Sequence, residues 1–335
     1  MRRLPVHFLC DANASVGFGH LSRCLKLAFS LRRSRAIRFG GRFSAEARKR
    51  ISQHGFSVEE PSARNSGGLA VVDLMFDKED MDYYDLPRLA RIRNRFQRVV
   101  VLSSAMTVPD DLPVDAVIGH VLQGGRAARS PFRVLAGLDY SPVAAEFRRS
   151  RARRAEVRKD IGRIFVGFGA SRDVHGLERV LDALALWGFS GEVDVLLSPF
   201  HRRFEPSLGR RKAPYRLRIH SDVRSVAPLM RRADVAFGTY GNITFEALCL
   251  GTPFLAVAVK DFQLAYARRL ERQGLLVCLG KASELDAAKV VQALKSLTRR
   301  KRETLSRRGR SSVDGLGIER IRRVIESEAL RVESV

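Results

Sequence analysis

A histidine that closes a glycine-rich turn near the start of the chain has the chemistry of a general base. The turn reads Val-Gly-Phe-Gly-His at residues 16–20 and follows a short apolar run at residues 6–10. Gly17 and Gly19 allow a tight turn and a close approach of the backbone to a ligand. His20 stands where the next predicted helix begins, and a neutral imidazole there can accept a proton near pH 7. A polar helix cap is the alternative role, and the loops described next favour catalysis.

The same turn does not match a dinucleotide-binding fingerprint. Position 22 is serine where the fingerprint has its third glycine, and no acidic residue for a ribose follows the strand predicted at residues 36–39. The free N–H groups at the start of the next helix still favour an anion. We assign Asp11, Gly17, Gly19 and Arg23 to substrate binding in this loop and helix.

Two glycine-containing loops in the second half of the chain have the composition of phosphate sites. Residues 167–173 read Gly-Phe-Gly-Ala-Ser-Arg-Asp after an apolar run. Small residues before a helix present backbone N–H groups to an anion, which makes Gly169 and Ser171 candidates. Residues 238–246 read Gly-Thr-Tyr-Gly-Asn-Ile-Thr-Phe-Glu, and a helix is predicted to begin at the second glycine.

This second loop predicts a nucleoside diphosphate site. Gly241 and Asn242 would begin the helix, whose N-terminus accepts a diphosphate. Glu246 follows one turn later, where a carboxylate can accept hydrogen bonds from both hydroxyls of a ribose. An ordinary helix start with a first-turn glutamate is the alternative. Gln263 follows the next predicted strand, and its amide can donate to and accept from a sugar or a phosphate.

Short apolar runs alternate with amphipathic stretches along the chain, a pattern typical of βαβ units and a parallel sheet. In such sheets ligands bind where loops leave the carboxyl ends of the strands, and each of the four loops follows a predicted strand. The predicted strands are residues 6–10, 36–39, 69–74, 99–102, 116–118, 164–167, 193–197, 217–219, 235–237 and 254–257. The predicted helices are residues 21–31, 45–52, 86–96, 177–187, 223–231, 243–250, 262–273, 287–297 and 318–330.

A highly charged segment without an apolar stripe, residues 146–159, marks a change of domain. The chain has 335 residues, which suits two domains of ordinary size. We predict an N-terminal Rossmann-like domain at residues 1–150, which carries the histidine loop, and a C-terminal nucleotide-binding Rossmann-like domain at residues 151–335. The predicted fold class is α/β, with the two domains facing each other across a cleft.

The composition is strongly basic, since 60 Lys and Arg against 36 Asp and Glu give a net charge of +24. Such a field attracts nucleotide phosphates and acidic membranes, so peripheral contact with a membrane is one expectation. The arginines are spread along the chain and no nucleic-acid-binding module is recognisable, so no nucleic-acid partner is expected. No apolar run is long enough to span a membrane, and the four cysteines lack the spacing of a metal site or a disulfide framework. These features predict a cytoplasmic protein.

The motifs together resemble the glycosyltransferase-B architecture. Within it they resemble the family of the UDP-sugar hydrolase of pseudaminic acid biosynthesis, to which spore-coat polysaccharide proteins also belong. Residues 16–24 are similar to the family's Ile-Gly-x-Gly-His-x-x-Arg-Cys stretch. Residues 240–246 and 251–253 are similar to its Gly-Gly-Ser-Thr-x-x-Glu helix start and the Gly-x-Pro that follows. The loop at 168–173 and the Phe-Gln pair at 262–263 resemble two further motifs, so the likeness runs nearly from end to end.

This resemblance implies a UDP-linked acetamido sugar as substrate, bound through its nucleotide to the second domain. Gly241, Asn242 and Thr244 would contact phosphates, and Glu246 would contact the ribose. His20 would activate water against the anomeric carbon and expel UDP with inversion. The resemblance implies no cofactor and no metal, because helix N-termini and side-chain donors supply the positive potential.

Differences from the family leave the acceptor open. Residues 71–76 lack the tyrosine that the family carries there, and Ser-Ser-Ala-Met at 103–106 replaces an Asp-Asp-Leu-Ala stretch. Both changes fall in the part of the first domain that would contact the sugar. Hydrolysis of a UDP-sugar is therefore our first hypothesis, and an inverting glycosyltransferase that uses a UDP-sugar donor is the second. A non-catalytic nucleotide-sugar-binding protein is the third.

Overall fold

A computed structural model gives the fold of both halves of the chain. It describes residues 5–13, 16–59, 67–74, 84–121, 131–152, 156–169, 175–198, 201, 204–221, 223 and 225–333. The chain divides into two compact units. Unit 1 is formed by Met1–Pro142 with Leu316–Val335, and unit 2 by Val143–Gly315.

Unit 1 contains a seven-stranded sheet in which the described strands pair in parallel. Its strands are β1 (Val6–Cys10), β2 (Ile37–Gly40), β3 (Ser57–Val58), β4 (Leu69–Asp73), β5 (Arg98–Leu102), β6 (Ala116–Gly119) and β7 (Arg133–Ala136). Its first helices are α1 (Gly19–Leu31), α2 (Ala45–Gln53) and α3 (Leu86–Arg93). The strand order is β3-β2-β1-β4-β5-β6-β7. The order therefore reverses between β1 and β4, which is where open α/β sheets bind ligands.

The central strands of unit 1 form because near-continuous apolar runs are buried on both faces, as is usual for parallel sheets. Every residue of β1 and of β4 is buried. Phe8 of β1 stacks on Phe39 of β2 with ring centroids 5.4 Å apart, while Leu9 belongs to a core cluster on the other face. The register pairs Cys10 with Asp73. The loop that follows β1 therefore starts beside the last residue of β4.

Unit 2 contains a six-stranded parallel sheet in the order β10-β9-β8-β11-β12-β13. Its strands are β8 (Arg163–Gly167), β9 (Glu192–Leu197), β10 (Arg216–Ser221), β11 (Val235–Thr239), β12 (Phe254–Ala258) and β13 (Val277–Lys281). Its helices are α4 (Ala145–Arg151), α5 (His175–Leu186), α6 (Glu205–Gly209), α7 (Ala227–Arg232), α8 (Asn242–Leu250), α9 (Asp261–Arg272), α10 (Ala287–Ser296) and α11 (Arg299–Ser312). The strand order reverses between β8 and β11.

The last helix of the chain, α12 (Gly317–Glu333), packs within unit 1. It contacts α1, β4 and β5. Ser34 Oγ donates a hydrogen bond to Glu326 Oε1 at 3.0 Å, and Arg133 forms an ion pair of 3.0 Å with the fully buried Glu328. These contacts tie the C-terminal helix to the first sheet.

The boundaries of the units differ from the predicted domain boundaries at residues 1–150 and 151–335. Unit 2 begins at Val143 and ends at Gly315, because the contacts of the last helix are made in unit 1. The predicted α/β class with two parallel-sheet domains is confirmed. In the part of the chain that is described, no helix is both long and apolar enough to cross a bilayer.

Candidate functional site

His20 and Asp73 meet at the carboxyl ends of β1 and β4. His20 lies in the first turn of α1, and Asp73 is the last residue of β4. His20 Nδ1 lies 2.6 Å from Asp73 Oδ1. The carboxylate is fully buried, whereas the His20 side chain is 15% exposed. A buried carboxylate therefore orients the ring of the predicted histidine.

Arg23 lies one turn after His20 and holds the same carboxylate with two hydrogen bonds. Its Nε donates to Asp73 Oδ2 at 2.8 Å, and its Nη2 donates to Oδ1 at 2.6 Å. Bidentate pairing of this kind is strong and fixes the orientation of the carboxylate. Arg23 is itself buried. The structure thus places this predicted substrate-binding residue against Asp73, where it supports the His20–Asp73 pair.

The hydrogen-bond geometry indicates which nitrogen of His20 carries the proton. Arg23 Nη2 also lies 3.1 Å from Nδ1, but Nδ1 cannot accept from Arg23 while it donates to Asp73. The shorter contact, 2.6 Å to the carboxylate, favours an Nδ1–H group that donates to Asp73. In the neutral ring the lone pair is then on Nε2, where it can accept a proton from a substrate.

Asp73 keeps its negative charge in this environment. Burial by itself would raise the pKa of Asp73, but the Arg23 guanidinium and the His20 ring outweigh burial and hold the pKa well below its usual range. The stability that this charge contributes is fully present above about pH 4, the ordinary pKa of an aspartate, and is lost only at lower pH. The carboxylate therefore holds the His20 ring throughout the neutral range.

The other predicted substrate-binding residues of this loop shape its backbone. Asp11 is buried, and its Oδ1 accepts the backbone N–H of Arg42 at 2.8 Å while Arg88 Nη2 lies 3.4 Å from Oδ2. Gly17 has a φ of 78°, a left-handed conformation that glycine adopts without strain. Gly19 is exposed at the first position of α1. Asp11 thus organises the loop, and the glycines keep its backbone open to a ligand.

His120 is a neighbour of this site that the sequence did not indicate. It directly follows β6 and is buried. Burial lowers the pKa of His120 to about 3, the Arg23 guanidinium adds to this effect, and the Asp73 carboxylate opposes it. His120 is therefore a neutral ring within electrostatic range of the Arg23–Asp73 pair.

We expect the protein to lose stability as the pH falls from 7 to 5. Burial lowers the pKa of His7 to about 4, and the Arg38 guanidinium acts in the same direction. His7 and His120 therefore stay neutral in the fold, while the unfolded chain takes up protons below about pH 6.5. Because the unfolded state binds more protons, each histidine lowers the free energy of unfolding by about 2 kcal/mol at pH 5. Urea denaturation at the two pH values measures the difference.

The variant His7→Leu isolates one of these two contributions. It should reduce the loss of unfolding free energy between pH 7 and pH 5 by about 2 kcal/mol. The variant His54→Ala, at an exposed histidine of the same unit, should leave that loss unchanged. An undiminished loss in His7→Leu would show that His7 titrates normally in the folded protein.

In unit 2 the neighbouring strands β8 and β11 bring two predicted phosphate loops together. Thr239 Oγ1, at the end of β11, donates to the carbonyl of Phe168 at 3.1 Å. Gly169 has a φ of 61°, so the backbone after β8 turns through a left-handed conformation that favours glycine. Ser171 lies outside the described residues.

Helix α8 begins at the predicted diphosphate loop. Gly241 is its N-cap residue, and Thr244 Oγ1 accepts the Gly241 N–H at 3.2 Å. Thr244 is fully buried, so its hydroxyl fixes the start of the helix. Asn242 and Glu246 are partly exposed. These two side chains of the predicted nucleotide-binding set therefore reach the surface of unit 2.

Gln263 lies in the first turn of α9, the helix that follows β12, and β12 is the neighbour of β11. Its Oε1 accepts the backbone N–H of Val259 at 2.8 Å and that of Lys260 at 3.3 Å. The amide oxygen thus caps helix α9. The amide nitrogen is the part of Gln263 that is suited to donate to a ligand.

The strand order reverses beside the loop after β1 in unit 1, and between the loops after β8 and β11 in unit 2. In unit 1 this brings His20 and Arg23 to Asp73, and in unit 2 it aligns the loops after β8, β11 and β12. Neither Asp73 nor His120 was among the residues predicted from the sequence. An acidic residue at the end of an otherwise apolar strand is the signal that marks Asp73, whereas no comparable signal marks His120.

The sequence matches no protein-family model. It is 23% identical to the spore coat polysaccharide biosynthesis protein SpsG of Bacillus subtilis, over 96% of this chain and 98% of SpsG. The similarity therefore extends over nearly the full length of both chains.

The fold is shared with several solved structures. MurG of Acinetobacter baumannii has a TM-score of 0.69 and 12% identity, with 97% of this chain and 99% of MurG covered. CalG4, the calicheamicin glycosyltransferase, has a TM-score of 0.65 and 15% identity, with 98% and 99% covered. HepE of Anabaena, solved in complex with UDP-glucose, has a TM-score of 0.57 and 13% identity, with 96% and 99% covered. The chain thus has the two-domain α/β fold of the GT-B glycosyltransferases.

Proposed function

We propose that this chain is a glycosyltransferase that uses a UDP-sugar donor in the synthesis of a surface polysaccharide. The observation that carries the proposal is the His20–Asp73 pair, which leaves His20 Nε2 as a general base where the strand order of unit 1 reverses. The fold of CalG4 and of UDP-glucose-bound HepE supports a nucleotide-sugar donor, and the similarity to SpsG supports polysaccharide synthesis. Among our hypotheses, this favours the transferase over the hydrolase.

In this proposal His20 activates the acceptor. Its Nε2 takes the proton of an acceptor hydroxyl while the hydroxyl oxygen attacks the anomeric carbon of the donor sugar. The bond between that carbon and the diphosphate oxygen breaks, its electron pair leaves with UDP, and the anomeric centre is inverted. The protonated ring of His20 is stabilised by the ionised Asp73, which already holds the Nδ1–H group.

We assign the nucleotide to unit 2. Gly169, Gly241 and Asn242 would contact the phosphates, together with Ser171, because the N–H groups at a helix start favour an anion and stabilise a leaving diphosphate. Thr244 would contribute to phosphate binding indirectly, because its hydroxyl fixes the start of α8.

Gln263 would contact the sugar, with its amide nitrogen as the hydrogen-bond donor. Gly17 and Gly19 would let the backbone approach the acceptor. No cofactor and no metal take part in the proposed step.

The function is tested by release of the nucleotide (UDP, CMP or GDP) from a panel of UDP-, CMP- and GDP-sugars. Each donor is incubated with the protein alone and with a mixture of monosaccharide and polyprenyl-phosphate acceptors. We expect UDP-sugars to be preferred and UDP release to rise at least about tenfold when an acceptor is present, as general-base activation of an acceptor requires. If none of the donors releases its nucleotide, either with or without acceptors, the proposal is wrong.

Hydrolysis of a UDP-sugar is the second candidate. The stretch at residues 16–24 is similar to that of the hydrolase family, and the same base would act on water in place of an acceptor hydroxyl. UDP release at the same rapid rate with and without acceptors would favour hydrolysis over transfer.

The variant Glu246→Ala should weaken UDP binding about tenfold or more, because hydrogen bonds to a charged group contribute about 1.5–3 kcal/mol each. The free energy of unfolding should change by less than about 1 kcal/mol, since Glu246 is partly exposed and lies beyond the first turn of α8. Isothermal titration calorimetry with UDP measures the affinity.

The matched control is Glu284→Ala, which removes an exposed carboxylate elsewhere in unit 2. This control should bind UDP as the unchanged protein does. Equal UDP affinity in Glu246→Ala and in the control would remove the ribose assignment of Glu246.

A further inference from the structure

Unit 1 contains an arginine-lined cavity between α3 and the carboxyl ends of β1, β2 and β4. Its volume is about 230 Å³, which is several times the space of about 30 Å³ that a water molecule occupies. Arg88, Arg91 and Arg95 line it. The rest of its described lining is glycine and apolar side chains, and no described lining residue is acidic.

The cavity exists because β2 ends in glycine. Gly40 pairs with Leu9 of β1, so both positions belong to the same face of the sheet, and Gly40 has no side chain to fill the space beside Leu9. Gly41 follows at a φ of 143°, and a Cβ there would overlap the carbonyl oxygen of Cys10. The opening is therefore a consequence of how the two strands end.

The arginines converge on this opening from one side of α3. Arg88 and Arg91 are three residues apart, which places them on the same face of the helix, and Arg95 follows the end of the helix. Arg88 is held by Asp11, with 3.4 Å between Nη2 and Oδ2. Arg91 is exposed and forms no hydrogen bond or ion pair with any residue that the structure describes. Like charges that share a partly closed space repel each other, and a bound anion relieves that repulsion.

We propose that this cavity binds a phosphate or diphosphate group, and that in the proposed transferase this group belongs to the acceptor. Guanidinium groups bind phosphate oxygens by charge-assisted, often bidentate hydrogen bonds. Leu74, which lines the cavity, directly follows Asp73, and Asp11, which holds Arg88, lies in the loop that leads to His20. A phosphate in the cavity therefore lies at the same edge of the sheet as the candidate base, within the same unit. Only the identification of the acceptor rests on the proposed function, since binding of the anion does not require it.

Calorimetric titration with inorganic pyrophosphate in the presence of saturating UDP tests the cavity. UDP fills the nucleotide site proposed in unit 2, so the remaining binding reports on other sites. Arg91→Ala should weaken pyrophosphate binding about tenfold, and Arg91→Ala combined with Arg95→Ala should weaken it further. Arg88 is kept, because its removal would take the ion pair from the buried Asp11. The control Arg48→Ala removes one exposed arginine outside the cavity and should change the affinity less than about twofold.

A second arm distinguishes a soluble phosphate from a lipid headgroup. The same variants are sedimented with vesicles of phosphatidylcholine that contain phosphatidic acid. Weaker pyrophosphate binding in the cavity variants supports a soluble phosphorylated ligand, and weaker vesicle binding alone supports a lipid phosphate.

A titration with UDP alone that shows no binding would overturn the nucleotide site of unit 2, and the pyrophosphate titration would still decide the cavity. If the cavity variants match Arg48→Ala in both arms, the cavity is not a phosphate site.

Discussion

The variant His20→Ala should lower the rate of sugar transfer by about 10²–10⁴-fold, the range that a positioned general base contributes. The structure gives the reason, because Nδ1 lies 2.6 Å from the buried Asp73 carboxylate and Nε2 is then free to accept a proton. The affinity for UDP should stay within about twofold, since the nucleotide is assigned to unit 2. UDP release with the acceptor mixture measures the rate, and calorimetry measures the affinity.

A matched histidine in the same unit provides the control for this experiment. His54 is exposed, and its Nδ1 lies 2.8 Å from the carbonyl of Arg50 at the end of α2. His54→Ala should keep the full transfer rate. If His20→Ala loses less than about fivefold, far below the usual contribution of a general base, His20 does not carry the proton. Unchanged glycan synthesis in cells that carry His20→Ala would instead favour the binding-protein hypothesis.

Most strands could be predicted from the sequence because parallel strands are buried on both faces and are therefore apolar without interruption. The strand predicted at residues 254–257 is found at Phe254–Ala258, with every position buried. The strand at Arg133–Ala136 was not predicted, since none of its residues is fully buried and its pattern is weak.

Helix α11 was not predicted, because arginine counts as a surface residue when a sequence is searched for the buried face of a helix. This helix is dominated by basic residues, yet Arg302 is almost fully buried within it. Its Nε donates to the carbonyl of Leu297 at 3.1 Å, and its Nη2 donates to that of Lys159 at 2.7 Å. Two backbone carbonyls in the fold thus accept hydrogen bonds from Nε and Nη2 of a guanidinium that the sequence alone places in solvent.

Only those parts of the candidate site that are formed by residues close together in the sequence could be predicted. His20 and Gly241 were identified because glycine turns before helices have a recognisable composition. Asp73 lies 53 residues from His20, and the two meet only because β4 pairs with β1, a strand order that no local window contains. Thr244 and Gln263 were identified by the same kind of composition, and the structure adds that their side-chain oxygens accept backbone N–H groups at the starts of α8 and α9.

The variant Asp73→Asn should lower the transfer rate by about 10²-fold or more, because the wrong tautomer of the histidine would then be favoured. An asparagine can donate its amide hydrogen to Nδ1 of His20, which moves the ring proton to Nε2 and removes the base. The free energy of unfolding should also fall by about 3 kcal/mol, since Arg23 stays buried and charged without a carboxylate. Urea denaturation and the transfer rate of the folded fraction are measured on the same sample.

The variant Arg23→Lys separates the stability effect from the chemical effect. It loses the two hydrogen bonds from Nε and Nη2 to Asp73 but leaves the carboxylate on His20. Arg and Lys are not interchangeable at a bidentate site, so this variant should also lose stability while its transfer rate falls by less than about tenfold. If the transfer rate of Arg23→Lys is as low as that of Asp73→Asn, loss of structural order, and not the tautomer of His20, explains the low rates of both variants.

A double-mutant cycle decides whether Asp73 acts through His20. Asp73→Asn should lower the rate by about 10²-fold in the unchanged protein but by less than about threefold in His20→Ala, because residues that work as a unit are not additive. The loss of stability should persist in both backgrounds, since Arg23 loses its carboxylate whether or not the imidazole is present. If the rate losses of the two single variants multiply in the double variant, Asp73 contributes independently of His20. A purely structural role predicts that rate and stability fall together in both backgrounds, whereas an orienting role predicts that only the stability loss survives the removal of His20.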